Sequence, residues 1–253
     1  MLAKQWLQNT REVMNAIEQT QIKNIKSAAR IMADSIAAGR WVHTFGCGHA
    51  TIPVEEMYPR IGGFVGFHPI IELPLTFFTH IHGEMGIHQF LFLERAEGFG
   101  REIMKSYNFD PRDTIWLFSH SGINQVNIDI ALRSKELGMK VVMVGSEKGY
   151  RDKETRHSSG KKLFEIADVV IDSCVPAQDA SVPLKNHMDK IGPVSTMAFV
   201  TVVWMVITTV AEMLVDRGIK LHIHPSHNIP GDTTAHDRLD QALREYKRRV
   251  AGV

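Results

Sequence analysis

A chain of 253 residues with 44% hydrophobic and 23% charged content has the composition of a globular protein, which excludes disorder. Its 29 basic and 28 acidic residues leave a formal net charge of +1, which excludes the broad basic face of a nucleic-acid binder. Two cysteines, Cys47 and Cys174, are too few for a disulfide framework and fit a reducing, cytoplasmic setting.

Residues 1–38 read as an amphipathic helix, with Leu2, Trp6, Val13, Ile17, Ile25, Met32 and Ile36 at helical spacing and Gly39 at its end. This start lacks the apolar core of a secretory signal. A strand over 40–45 runs into Gly46-Cys47-Gly48-His49, and a helical stretch follows to about Arg60. Gly62-Gly63 breaks it before a second strand over 64–73. Residues 74–87 are irregular and rich in histidine, and 88–107 read as helix. The apolar run 114–118 is that of a strand buried on both faces. A helix over 122–137, a strand over 140–144 and a fifth strand over 167–172 come next. A helix over 191–215 and a C-terminal helix over 233–250 complete the chain.

Residues 191–211 carry no charge and are long enough to span a bilayer. Five serines and threonines and the lack of a positive flank favour a helix buried in the fold or in a dimer. Arg244, Lys247, Arg248 and Arg249 form the one dense basic run, which Glu245 interrupts, and read as a solvated face. Neither membrane nor nucleic acid is an expected partner. Strands alternating with helices give a three-layer α/β/α fold with a five-stranded parallel sheet in a single domain, the terminal helices packing on it.

Ligands of such a sheet bind outside the carboxyl ends of its strands. Two turns fall there. In Gly46-Cys47-Gly48-His49-Ala50-Thr51 the glycines let the backbone approach a ligand, a pattern equally common in purely structural turns. Ser119-His120-Ser121-Gly122-Ile123-Asn124 follows the third strand and opens a helix, so two hydroxyls and a helix N-terminus converge where a phosphate dianion fits. One serine would suffice for a cap. Neither turn has the Walker or dinucleotide-binding spacing, which disfavours nucleotides.

Phe45-Gly-Cys-Gly-His49, Glu55-Glu56 and Gly62-Gly63 resemble the first block of SIS (sugar isomerase) domains, and 113–124 running on to Val142 resembles their central block. Ser159-Gly160, 167–172 and Gly192-Pro-Val-Ser-Thr196 are similar to the later blocks, so the resemblance covers about residues 40–215. The Gly-Pro-x-Ser-Thr block and Asn228-Ile-Pro-Gly231 place the nearest likeness in a bacterial single-SIS-domain branch with no agreed activity. The resemblance implies a flavodoxin-like sheet, a sugar-phosphate ligand, and a homodimer or tetramer with the site shared between subunits. It places Ser119, Ser121, Gly122 and Asn124 on the phosphate, with Gly46, Gly48, His49 and Thr51 toward the sugar. Ser195 and Thr196 either cap the uncharged helix or reach the ligand.

An aldose–ketose isomerase needs a base that moves a proton between neighbouring carbons. Glu56 is one candidate, since a glutamate stands in a similar place in heptose-phosphate isomerases of the SIS family. Those isomerases also use a histidine on a late helix, and the 191–211 helix has none. Glu84 is the other candidate, upstream of Glu94-Arg95-Ala-Glu97-Gly98, a pattern similar to one in SIS etherases. His80, His82 and His88, and His222, His224 and His227, make two clusters that also suit zinc. The expectation is an enzyme on a hexose or amino-sugar phosphate with neither cofactor nor metal, acting by isomerisation or by an etherase-type elimination. The alternatives are a sensor that binds the sugar phosphate without turning it over and a metal-assisted enzyme.

Overall fold

The computed structural model describes residues 1–57, 59–76 and 86–251. Helix α1 (Leu2–Ala37) leads into β1 (Val42–Gly46), a 3-10 turn (Gly48–Thr51), α2 (Ile52–Met57), β2 (Phe67–Pro69) and α3 (Leu73–Thr76). Next come α4 (Ile87–Leu93), α5 (Phe99–Met104), β3 (Thr114–Phe118), α6 (Gln125–Glu136), β4 (Lys140–Gly145), α7 (Glu147–Tyr150), α8 (Leu163–Ile166) and β5 (Val169–Asp172). A hairpin of β6 (Ala180–Pro183) and β7 (Lys190–Pro193), helix α9 (Ser195–Asp216) and helix α10 (Ala235–Val250) follow.

The five main strands form one parallel sheet in the order β2-β1-β3-β4-β5, the flavodoxin-like arrangement expected from the sequence. Side chains alternate across it. Trp116 and Phe118 of β3 join Val142, Val144 and Ile171 under α1 and α9, whereas Ile115 and Leu117 join Val141 and Met143 under α5, α6 and α8. Both faces of β3 are covered, which is why residues 115–118 are continuously apolar, while the buried Thr114 hydroxyl is bonded to that of Ser35 at 2.8 Å. In α9, Phe199, Val202, Val203, Val206, Ile207 and Val210 recur at helical spacing and lie in that core. It is the one helix among the described residues long and apolar enough to cross a membrane.

The structure departs from the sequence reading in several places. The helix expected from residue 191 begins at Ser195, because Lys190–Pro193 is a strand paired antiparallel with β6. Gly192 there has φ +73, and a Cβ on it would lie 2.5 Å from Trp6. The helix expected over 88–107 is two, broken at Gly98 with φ +91. The second strand shrinks to three residues that end at Pro69, which has no N–H to donate. In α1 the apolar stripe is buried from Ile17 onward, and Leu2 stays exposed.

Candidate functional site

Strand order reverses between β1 and β3, and the two turns singled out above leave the sheet side by side there, at its carboxyl end. Between them lies a cavity of 280 Å³, lined by Cys47, His49, Ala50, Glu94, Ser119, His120, Ser121, Asn124, Asn127, Tyr150, Asp179 and Ser195 together with Phe118 and Phe199. That is at the small end of ligand pockets, which run from about 300 to 1,000 Å³. A larger cavity of 550 Å³ lies between α1, the segment after β5 and the β6–β7 hairpin.

Each turn is closed by its own chemistry. At Gly46 a Cβ would come within 2.1 Å of the Ala50 carbonyl, and the Thr51 hydroxyl donates to the Gly46 carbonyl at 2.9 Å. Gly46, Gly48 and Thr51 therefore shape the first turn, while Cys47, His49 and Ala50 face the cavity. In the second turn the Ser119 hydroxyl accepts the Gly122 N–H at 3.1 Å and keeps its own proton to donate. Gly122 adopts φ +64, and a Cβ there would lie 2.6 Å from the Phe164 ring. Ser121 lines the cavity and its hydroxyl has no partner among the described residues.

Asn124 is spent on architecture. Its Nδ2 donates to Glu94 Oε2 at 2.9 Å and its Oδ1 accepts from Arg156 at 3.3 Å, so it ties the second turn to the residue that caps α4. Glu94 is buried, and burial raises its carboxyl above the usual range against the opposing pull of Arg95, Asn124 and Arg156. Cys47 is a neutral thiol, pushed far up by burial and then by the charge of Glu94, with only the Asn127 amide opposing. Asn127 Nδ2 donates to Cys47 Sγ at 3.6 Å, which leaves the buried Asn127 Oδ1 without a partner.

His120 Nε2 lies 3.2 Å from the Ala177 carbonyl, and Tyr150 Oη donates to that same oxygen at 3.2 Å. A carbonyl only accepts, so the proton sits on Nε2 and Nδ1 is left as a lone pair, with no partner. Tyr150 also packs edge-on against the ring, centroids 5.5 Å apart. Its phenol is raised, chiefly by burial.

Asp179 Oδ1 accepts the N–H groups of Val194 and Ser195, each at 2.8 Å, and Oδ2 accepts the Ser195 hydroxyl at 2.5 Å. Ser195 thus lines the cavity while serving the N-terminus of α9, and Thr196 is not among the lining residues. Glu56 is directed elsewhere: Oε1 accepts from Arg60 Nε at 3.0 Å and from Trp204 Nε1 at 3.2 Å. Glu84, His80 and His82 lie outside the described residues, and His88 is exposed. His222 and His224 pair by backbone with residues 62–65, and His227 stacks on His236 with centroids 4.7 Å apart. Among the described residues no three His, Cys, Asp or Glu side chains converge as metal ligands.

The sequence reading left Glu94, His120, Asn127, Tyr150 and Asp179 out of the site. Two had a signal: His120 sits between the two serines, and Glu94 opens the Glu-Arg-Ala-Glu-Gly pattern. Asn127, Tyr150 and Asp179 come from a helix face and distant loops, where nothing local marks them.

A family model described as SIS domain matches residues 5–146. A UPF0309 protein of Oceanobacillus iheyensis is 33% identical over 239 residues, 94% of each chain. A UPF0309 protein of Thermoanaerobacter pseudethanolicus is 32% identical over 246 residues, 94% of this chain and 96% of its own. Among solved structures, a phosphoheptose isomerase from Francisella tularensis superposes with a TM-score of 0.53 at 13% identity, over 83% of this chain and 96% of that one.

Proposed function

We propose that this chain, which belongs to the SIS domain family and to the UPF0309 proteins within it, binds a monosaccharide phosphate in the 280 Å³ crevice and moves a proton next to the sugar carbonyl. The observation that carries the reading is the pair of hydroxyls, Ser119 and Ser121, at the carboxyl end of β3 beside the point where strand order reverses. Both donate to a phosphate, and Gly122 lets the backbone wrap it with a left-handed residue.

His120 supplies the proton-moving group. Its tautomer is fixed by the Ala177 carbonyl, its ring is held by Tyr150, and Nδ1 is a buried acceptor without a partner in a side chain that lines the crevice. Glu56, committed to Arg60 and Trp204, gives way to it in this role, and Glu84 remains the sequence's other candidate. Abstraction from the carbon beside the carbonyl opens both aldose–ketose isomerisation and elimination, so one first step serves either outcome.

Sugar phosphates incubated with the protein in heavy water are expected to gain deuterium at that carbon. His120→Ala should slow exchange at least 100-fold, within the usual range for a general base, with affinity changed only a few-fold. Binding without exchange for every tightly held ligand would leave a sensor, the second function on the same site. Each hydroxyl-to-phosphate bond is worth about 1.5–3 kcal/mol, so the double change Ser119→Ala and Ser121→Ala is expected to weaken binding at least 100-fold. Unchanged affinity in that variant would remove the phosphate seat and with it the proposal.

A further inference from the structure

We infer that the sugar phosphate held in this crevice carries a free amino group, an ammonium at neutral pH, seated against Glu94 and Asn127. The inference rests on the sugar-phosphate reading and adds the substrate class to it.

It follows from an inventory of charge and free hydrogen-bonding atoms. Among the described residues, those lining the crevice include two carboxylates, Glu94 and Asp179, and no lysine or arginine. Both carboxylate oxygens of Asp179 are engaged by the N–H groups and hydroxyl at the start of α9. Glu94 has only one so engaged. It is 8% exposed, its Oε2 holds one amide proton from Asn124, and its Oε1 has only Arg95 Nε at 3.7 Å, beyond a direct bond. A phosphate dianion in the same crevice would face this carboxylate with no lining cation between them, unless the ligand brings its own.

A second group points the same way. Asn127 is 3% exposed, and its Oδ1 has no donor. Its Nδ2 touches Cys47, whose thiol also lies within the field of Glu94, so both residues neighbour the same side chain. An unmatched buried acceptor costs about 1–3 kcal/mol and is normally kept for a ligand or water. A sugar hydroxyl offers one proton and no charge. An N-acetyl group offers one N–H, no charge and added bulk in a small cavity. An ammonium offers three N–H donors and a positive charge, enough for Glu94 Oε1 and Asn127 Oδ1 together.

The test is calorimetric titration at pH 7.5 with matched sets of hexose 6-phosphates in the gluco, galacto and manno configurations. Each set differs only at C2, which bears an amine, a hydroxyl or an N-acetyl group. In the set that binds best, the amine is expected to bind at least tenfold tighter than the hydroxyl and N-acetyl members. Glu94→Gln should reduce that ratio to about one. Asn127→Ala, read on the same ligands, should lower the amine preference. Equal or tighter binding of the hydroxyl or N-acetyl member to the unaltered protein overturns the inference while the sugar-phosphate reading stands. An undiminished amine preference in both variants overturns the assigned seat. Absence of binding by every member overturns both readings together.

Discussion

Below the carboxyl-end crevice, toward the start of the strands, the sheet buries a pair of histidines whose titration predicts how the fold responds to acid. His43 on β1 and His68 on β2 sit in adjacent strands with Nδ1 atoms 3.1 Å apart, and His43 Nε2 lies 3.4 Å from Asp113 Oδ2. Against burial, which acts to raise it, Asp113 is held ionised, well below the usual carboxylate range, by His43, Arg40 and the N–H groups of Trp41 and Asp110. The tautomers follow. His43 keeps its proton on Nε2 toward the carboxylate, so its Nδ1 accepts the one proton between the rings from His68 Nδ1. A second proton between them would set two N–H groups face to face.

Burial, then the neighbouring His43, brings the His68 imidazole down to about 4 from 6.5, with Asp113 opposing. Burial likewise lowers His43. Both folded values lie below the unfolded one, so the unfolded chain binds protons that the folded chain refuses, and stability falls as pH drops from about 6.5 toward 4. At 1.36 kcal/mol per pH unit, His68 alone removes about 2 kcal/mol between pH 7.5 and 5.0, a window in which ordinary carboxylates stay ionised. Urea unfolding at the two pH values measures this directly, and His68→Asn, which keeps an amide donor beside His43, should flatten the difference by about that amount. Equal stability of the unaltered protein at pH 7.5 and 5.0, or higher stability at 5.0, would refute the tautomer and burial argument.

Gly122→Ala forces a left-handed residue and drives a Cβ to 2.6 Å from Phe164, so a loss of at least 2 kcal/mol in chemical unfolding is expected together with loss of sugar-phosphate binding. Gly62→Ala, at φ +87 with nothing within 4 Å, isolates the backbone cost and should lose only about 1–2 kcal/mol. Asp179→Ala strips three hydrogen bonds from the start of α9. About 2 kcal/mol should go with them, a melting temperature some 4–8 °C lower by calorimetry. A melting point unchanged in that variant would show that water caps α9 equally well.

Period and punctuation made much of this protein legible before folding. Five apolar runs separated by helical stretches can close only as a parallel sheet, because each crossover helix must cover a face and returns the chain in the same direction. The serine-rich turn after β3 was legible for the same reason: its hydroxyls, glycine and helix start are consecutive in the chain. What the chain alone could not place were contacts between segments far apart in sequence. Glu94 reaches Asn124 across 30 residues and Ser195 reaches Asp179 across 16, and neither pairing leaves a periodic trace. Glu56 shows the converse, since its local motif suited a base and only the packing of α2 beside α9 handed its carboxylate to Trp204. Local hydrogen bonding and side-chain period are properties of neighbours along the chain, so the sequence determined the five-stranded parallel framework and the serine-rich turn after β3. Burial and charge in the crevice depend on which distant residues the sheet brings together, and that the tertiary structure alone decided.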